Sequence, residues 1–159
     1  MFRGGGVPDV AIAAAMTEIN FHFNVPDRLL YACRLLRKAC RKDARVVVLG
    51  SASTLTELDR ALWSFDALEF LPHRRLARGS GLPPMQLAIT PIWLIETVAD
   101  APDREVLLNL EPEVPTGFDT FALVVEIVST DPQERARARE RWKHYAGQGC
   151  TIESHEVAA

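Results

Sequence analysis

The sequence predicts an α/β layer fold, a mainly parallel sheet flanked by helices, without a nucleotide-binding motif. Three observations carry this. The run RVVVLG (45–50) is short, continuous, rich in β-branched residues and ended by glycine, the pattern of a strand buried on both faces. Strand-like runs alternate along the chain with stretches of helical apolar spacing, as parallel crossovers require. A chain of 159 residues with 48% hydrophobic and 25% charged residues has the size and balance of one globular domain.

The elements follow in order. EINFHF (18–23) alternates apolar and polar residues as a half-buried strand does, and the Asn24-Val25-Pro26-Asp27 stretch behind it signals a helix start. That helix runs to about Lys42, with Leu29, Cys33, Leu36 and Cys40 on one face and Arg34, Arg37, Lys38 and Arg41 on others. RVVVLG should be central. Thr54 and Glu57 have capping-box spacing, so a second helix is expected over about 54–65. Further strands are expected at MQLAIT (85–90), VLLNL (106–110), FALVVEIV (121–128) and CTIESHEV (150–157), with a last helix over about 132–146. Asp131 is its cap, Pro132 its first residue and Glu134 its first-turn acid.

Residues 1–15 are Gly- and Ala-rich without a period and read as a disordered leader or a misassigned start, leaving 16–159 as a single α/β domain. They lack a signal-peptide core, and nowhere do about 18 apolar residues run together, so a cytoplasmic protein without a membrane span is expected. Cys33, Cys40 and Cys150 lack metal-ligand spacing and read as reduced thiols.

No catalytic or metal-binding constellation is visible, and no cofactor is expected. The loop VLGSASTLTE has neither the dinucleotide nor the phosphate-loop glycine pattern, the four histidines form no i, i+4 pair, and Asp100, Asp103 and Glu105 fall in a turn expected to be solvated. The unusual features lie elsewhere. In RARERWKHYAGQG (135–147), Arg135, Arg139 and Lys143 line one side of a helix, Ala138 and Tyr145 the adjacent side, and Trp142 the border. Spacing alone leaves two readings open. One is a solvated face with Trp142 in the core and Arg135 and Lys143 paired to Asp131 and Glu140; the other is a binding stripe, since Arg139 has no acid at i±3 or i±4. Likewise, in LDRALWSFDALEFLPH (58–73), Trp63 and Phe70 fit either core packing or anchors for a partner protein.

Taken together, the opening INFHF strand, LDRALWSF…EFLPH in the middle and RARERWKHY near the end resemble the chi subunit family of bacterial DNA polymerase III holoenzyme, from about residue 16 to the C-terminus. The resemblance implies a non-catalytic replication accessory protein with a Rossmann-like fold. Such a protein pairs with the psi subunit of the clamp loader, where psi is present, and grips the acidic C-terminal tail of single-stranded DNA-binding protein, contacting DNA only indirectly. It implies a tail site of Arg135, Arg139, Trp142 and Lys143, with Val128 and Ser154 alongside, and a psi-facing surface around Trp63, Phe70 and Pro72. Trp142 stands where family members often have tyrosine, and Arg135 where one has lysine. The alternatives are a nucleotide-dependent enzyme on the same fold and a direct single-stranded DNA binder that stacks bases on aromatics. The net charge of −3 argues against the latter, which would show a wider basic field.

Overall fold

A computed structural model describes residues 17–65, 70–79 and 90–157. Its seven strands are β1 (Glu18–Val25), β2 (Val46–Leu49), β3 (His73–Arg75), β4 (Ile92–Ile95), β5 (Val106–Asn109), β6 (Leu123–Ser129) and β7 (Thr151–Glu156). They form one sheet in the order β3-β4-β2-β5-β6-β1-β7, and every recorded pairing is parallel. Among the described residues three α-helices flank it: α1 (Arg28–Arg41), α2 (Ala52–Ser64) and α3 (Pro132–Gly147).

Parallel strands need crossovers, and opposite crossover directions put helices on opposite faces. The chain leaves β1 toward β2 through α1 and leaves β6 toward β7 through α3. Accordingly, Ala32, Cys33 and Leu36 of α1 and Leu55, Leu58 and Leu62 of α2 share one core with Val46, Val48, Leu108 and Ile127. Ala138 and Tyr145 of α3 share the other with Ile19, Phe21, Val47, Leu107 and Val124. As RVVVLG suggested, β2 is interior and buried at all four residues. Strand β1 alternates between the two layers: Ile19, Phe21 and Phe23 face α3, while Asn20 and His22 face α1.

Several boundaries differ from the sequence expectation. Helix α2 is capped by Ser51, whose hydroxyl accepts from the Thr54 amide, so it begins before the Thr54–Glu57 box. Gly50 ends β2 directly ahead, which makes Ser51 the first hydroxyl able to reach a free helix amide. Strands β3 and β4 were not foreseen, and residues 85–89 of the expected MQLAIT strand, like the 1–15 leader, lie outside the described residues. Asp100 and Asp103 are half-buried rather than solvated; Asp100 accepts from Thr97 Oγ1 and the Gly79 amide. None of the three cysteines is in a disulfide, and burial, with Asp27 adding, pushes the Cys33 thiol up to about 11. No helix among the described residues is long and apolar enough to cross a membrane.

Candidate functional site

Helix α3 starts as its sequence dictates. Asp131 is the N-cap, its carboxylate accepting from the Glu134 amide at 3.0 Å, and Pro132 occupies the first turn. Gln148 closes the helix, and Gly149, at φ 81°, turns the chain back into β7. The helix is held down by a carboxylate set inside the sheet. Glu126 of β6 is fully buried and accepts from Tyr145 Oη at 2.7 Å, Asn109 Nδ2 at 2.9 Å and Arg141 Nε at 3.1 Å. Arg141 also donates to the Pro112 carbonyl at 2.8 Å, and Asn109 to that of Glu113 at 3.1 Å.

Burial pushes the Glu126 carboxyl above its ordinary value, opposed by the Arg141 charge and the three hydrogen bonds. Burial, then the Glu126 charge, pushes the Tyr145 hydroxyl well above its own, so it stays a donor. A buried carboxylate with three donors is satisfied, and removing any one donor leaves part of it unpaired in a medium that strengthens the cost. The network fixes the rotation of α3 about its axis and thereby decides which residues of the basic stretch face outward. Arg141 turns into the protein, whereas Arg135, Arg139 and Lys143 do not.

The outward residues border an open groove of about 480 Å³ between α3 and the β1–β7 side of the sheet. All six residues assigned to the tail site meet there: Val128 from the end of β6, Arg135, Arg139, Trp142 and Lys143 from α3, and Ser154 from β7. Trp142 is 38% exposed and its ring lies 5.0 Å from that of Phe21, so it walls the groove instead of filling the core. Among the described residues, Arg135 and Arg139 have no carboxylate in ion-pair range. Asp131 caps the helix rather than pairing with Arg135, while Lys143 meets Glu140 at 3.5 Å with both side chains 75% exposed. Such an exposed pair contributes little and leaves the lysine available. Phe21 and Phe23, which complete the apolar floor, were missed as site residues; their shared face on an alternating strand was the signal.

The second set lies at the other side of the sheet. Trp63 near the end of α2 and Phe70 are each 61% exposed, with ring centroids 5.3 Å apart, so neither is core. Trp63 also rests edge-on against His73, 5.1 Å away, whose ring is pinned between the Leu71 carbonyl at 2.7 Å and Asp59 Oδ1 at 2.9 Å. Pro72, half-buried, precedes that histidine. The tail-site residues and this aromatic pair are thus two separate surfaces. Among the described residues no group of three metal-ligating side chains gathers.

Comparison with known proteins bears on this arrangement. The family described as DNA polymerase III chi subunit, HolC, matches residues 16–153. The chain belongs to the chi subunit family of DNA polymerase III. The DNA polymerase III subunit chi of Pseudomonas aeruginosa is 31% identical over 150 residues, 89% of this chain and 98% of that one. Its counterpart in Haemophilus influenzae is 28% identical over 128 residues, 79% of this chain and 85% of that one. The place of a chi subunit is in a replicative polymerase holoenzyme. Among solved structures, T4 UvsW matches with a TM-score of 0.62 at 9% identity, over 91% of this chain and 42% of that one. The C-terminal domain of the DEAD-box protein Dbp5 matches with a TM-score of 0.55 at 9% identity, over 89% and 91%. At that identity these two show the chi chain's fold alone.

Proposed function

We propose that this chi-family chain is a non-catalytic link between the clamp loader and single-stranded DNA-binding protein, gripping the acidic C-terminal tail of the latter in the α3 groove. One observation carries the reading: an apolar, aromatic-walled groove is bordered by two arginines that have no carboxylate partner among the described residues, together with a weakly paired lysine. The tail that the family resemblance implies, carrying several aspartates and ending in proline and phenylalanine with a free carboxylate, is the complementary shape and charge. The phenyl ring lies against Trp142, Phe21 and Val128. The Arg139 fork clamps the terminal carboxylate, and Arg135 and Lys143 meet the aspartates, the forked donor being the better match to a carboxylate. The exposed Trp63–Phe70 pair, backed by Pro72 and His73, is the surface offered to psi, since large aromatics supply contact area at low rotamer cost.

The test is co-sedimentation of the chain with intact single-stranded DNA-binding protein and with the same protein lacking its last residue. The intact protein carries the chain down and the shortened one does not; equal recovery with both contradicts the groove as the tail site.

A further inference from the structure

The sheet has a second open groove on its opposite face, and its chemistry differs from that of the aromatic one. Helix α1 leaves part of β5 and β6 uncovered, opening a space of about 300 Å³ floored by Leu35, Ala39, Val106, Leu123 and Val125, all only half-buried. Lys38 and Lys42, one helical turn apart, form its rim, and Arg34, one turn earlier, extends the same row. All three are exposed, and among the described residues none has a carboxylate in ion-pair range. Three like charges four residues apart disfavour the isolated helix.

We propose that this groove docks a short acidic segment of a partner protein, in which aliphatic side chains alternate with carboxylates. The occupant follows from complementarity. The floor is aliphatic apart from the half-buried His22 imidazole, whose ring already packs against those of Tyr31 at 5.4 Å and His155 at 5.0 Å, and this favours a peptide over single-stranded nucleic acid, which needs open faces for its bases to stack on. The row of cations demands negative charge, which the chain's own residues 1–16 do not bring, since they carry one aspartate against one arginine. A second copy of the same face would set cation against cation. The site is separate from the α3 groove, because the even residues of β1 face this side and the odd ones the other.

The experiment is a titration of the full-length chain, followed by amide chemical shifts, with a capped peptide of alternating glutamate and leucine. Its C-terminus is amidated, so it lacks the carboxylate that the α3 groove would clamp. The expected result is movement of the Leu35, Ala39, Val106 and Val125 amides, about tenfold weaker binding by Lys38→Glu with Lys42→Glu, and binding retained by Lys38→Arg with Lys42→Arg. Arg139→Ala leaves this peptide's affinity unchanged while weakening that of a phenylalanine-ended acidic peptide at least about tenfold, so the two sites fail independently. The proposal is overturned by shifts confined to the α3 groove, by indifference to the charge reversals, or by a thymidine oligonucleotide moving the same amides more strongly. Contacts of residues 1–16 with Val125 in the free chain, or shifts that depend on protein concentration alone, overturn it equally.

Discussion

Tyr145→Phe isolates the anchor that orients helix α3, on which the proposed tail site lies. The substitution keeps the ring, which packs 5.0 Å from Phe118 and 5.9 Å from Phe21, and removes only the hydroxyl donating to Glu126 at 2.7 Å. No cavity opens, so the cost is that of one hydrogen bond to a charged, fully buried acceptor, about 1.5–3 kcal/mol. For a chain of this length that lowers Tm by roughly 3–12 °C. Thermal and urea unfolding of wild type, Tyr145→Phe, Glu126→Gln and the double variant form a cycle in which the two losses are strongly non-additive. The tail peptide's affinity changes little in Tyr145→Phe, because Arg141 and Asn109 still hold Glu126 and the face of α3 does not rotate. A loss below about 0.5 kcal/mol, or strict additivity with Glu126→Gln, would refute the reasoning, since a buried carboxylate deprived of a donor must register the loss.

Three further outcomes follow from the same geometry. Trp63→Ala and Phe70→Ala weaken attachment to the clamp loader in a reconstituted pull-down while leaving the melting curve nearly unchanged, because each ring is 61% exposed; unfolding of either variant contradicts the surface role. The His22 imidazole is lowered to about 4, first by burial and then by the charges of His155 and Lys38. The unfolded chain therefore binds the extra proton between pH 6.5 and pH 4, and stability contributed by neutral His22 is lost as pH falls through that window. After discounting for the half-exposed ring this amounts to about 1–2 kcal/mol, read as a pH-dependent difference in urea midpoint between wild type and His22→Gln; parallel profiles contradict it. Ser51→Ala removes the cap that α2 uses and costs about 1 kcal/mol, whereas Thr54→Ala, which keeps the Ser51 hydroxyl, costs less; the reverse order in urea unfolding would restore the cap to Thr54.

Much of the architecture was legible because it follows from local pattern. The β-branched run at 45–50 identified a buried central strand, and the cap, proline and first-turn acid signals fixed the start of α3, whose expected span matches to within a residue. What escaped lacks such a pattern. Strand β3 is His73-Arg74-Arg75, three polar residues with no apolar alternation, and β4 is only four apolar residues long, too short to show a period. The stripe of Arg135, Arg139 and Lys143 could be read from helical spacing, but its partners could not. Whether Arg135 pairs with Asp131 depends on that carboxylate already serving the helix amide, and whether Trp142 is core depends on how far α3 rolls over Phe21. That roll is set by Glu126, whose donors lie 15, 17 and 19 residues away in the chain, beyond any local periodicity. The family resemblance supplied the residues of the groove; the structure supplies the reason they face the same way.

The central claim is that Arg139 and the aromatic wall beside it clamp the end of an acidic tail. Its most direct test is isothermal titration of a short aspartate-rich peptide ending in phenylalanine against wild type and Arg139→Ala, at about 0.05 M and about 0.5 M salt. Wild type binds with roughly micromolar affinity, about −8 kcal/mol, as befits so small a contact. Arg139→Ala costs about 1.5–3 kcal/mol because the peptide carboxylate is left without its forked donor. The higher salt weakens the wild-type complex by screening exposed ion pairs. Removing the terminal phenylalanine costs as much as removing the arginine. Equal binding of the full and shortened peptides, or an affinity indifferent to Arg139→Ala, would contradict the account and return the basic stripe to a solvated helix face.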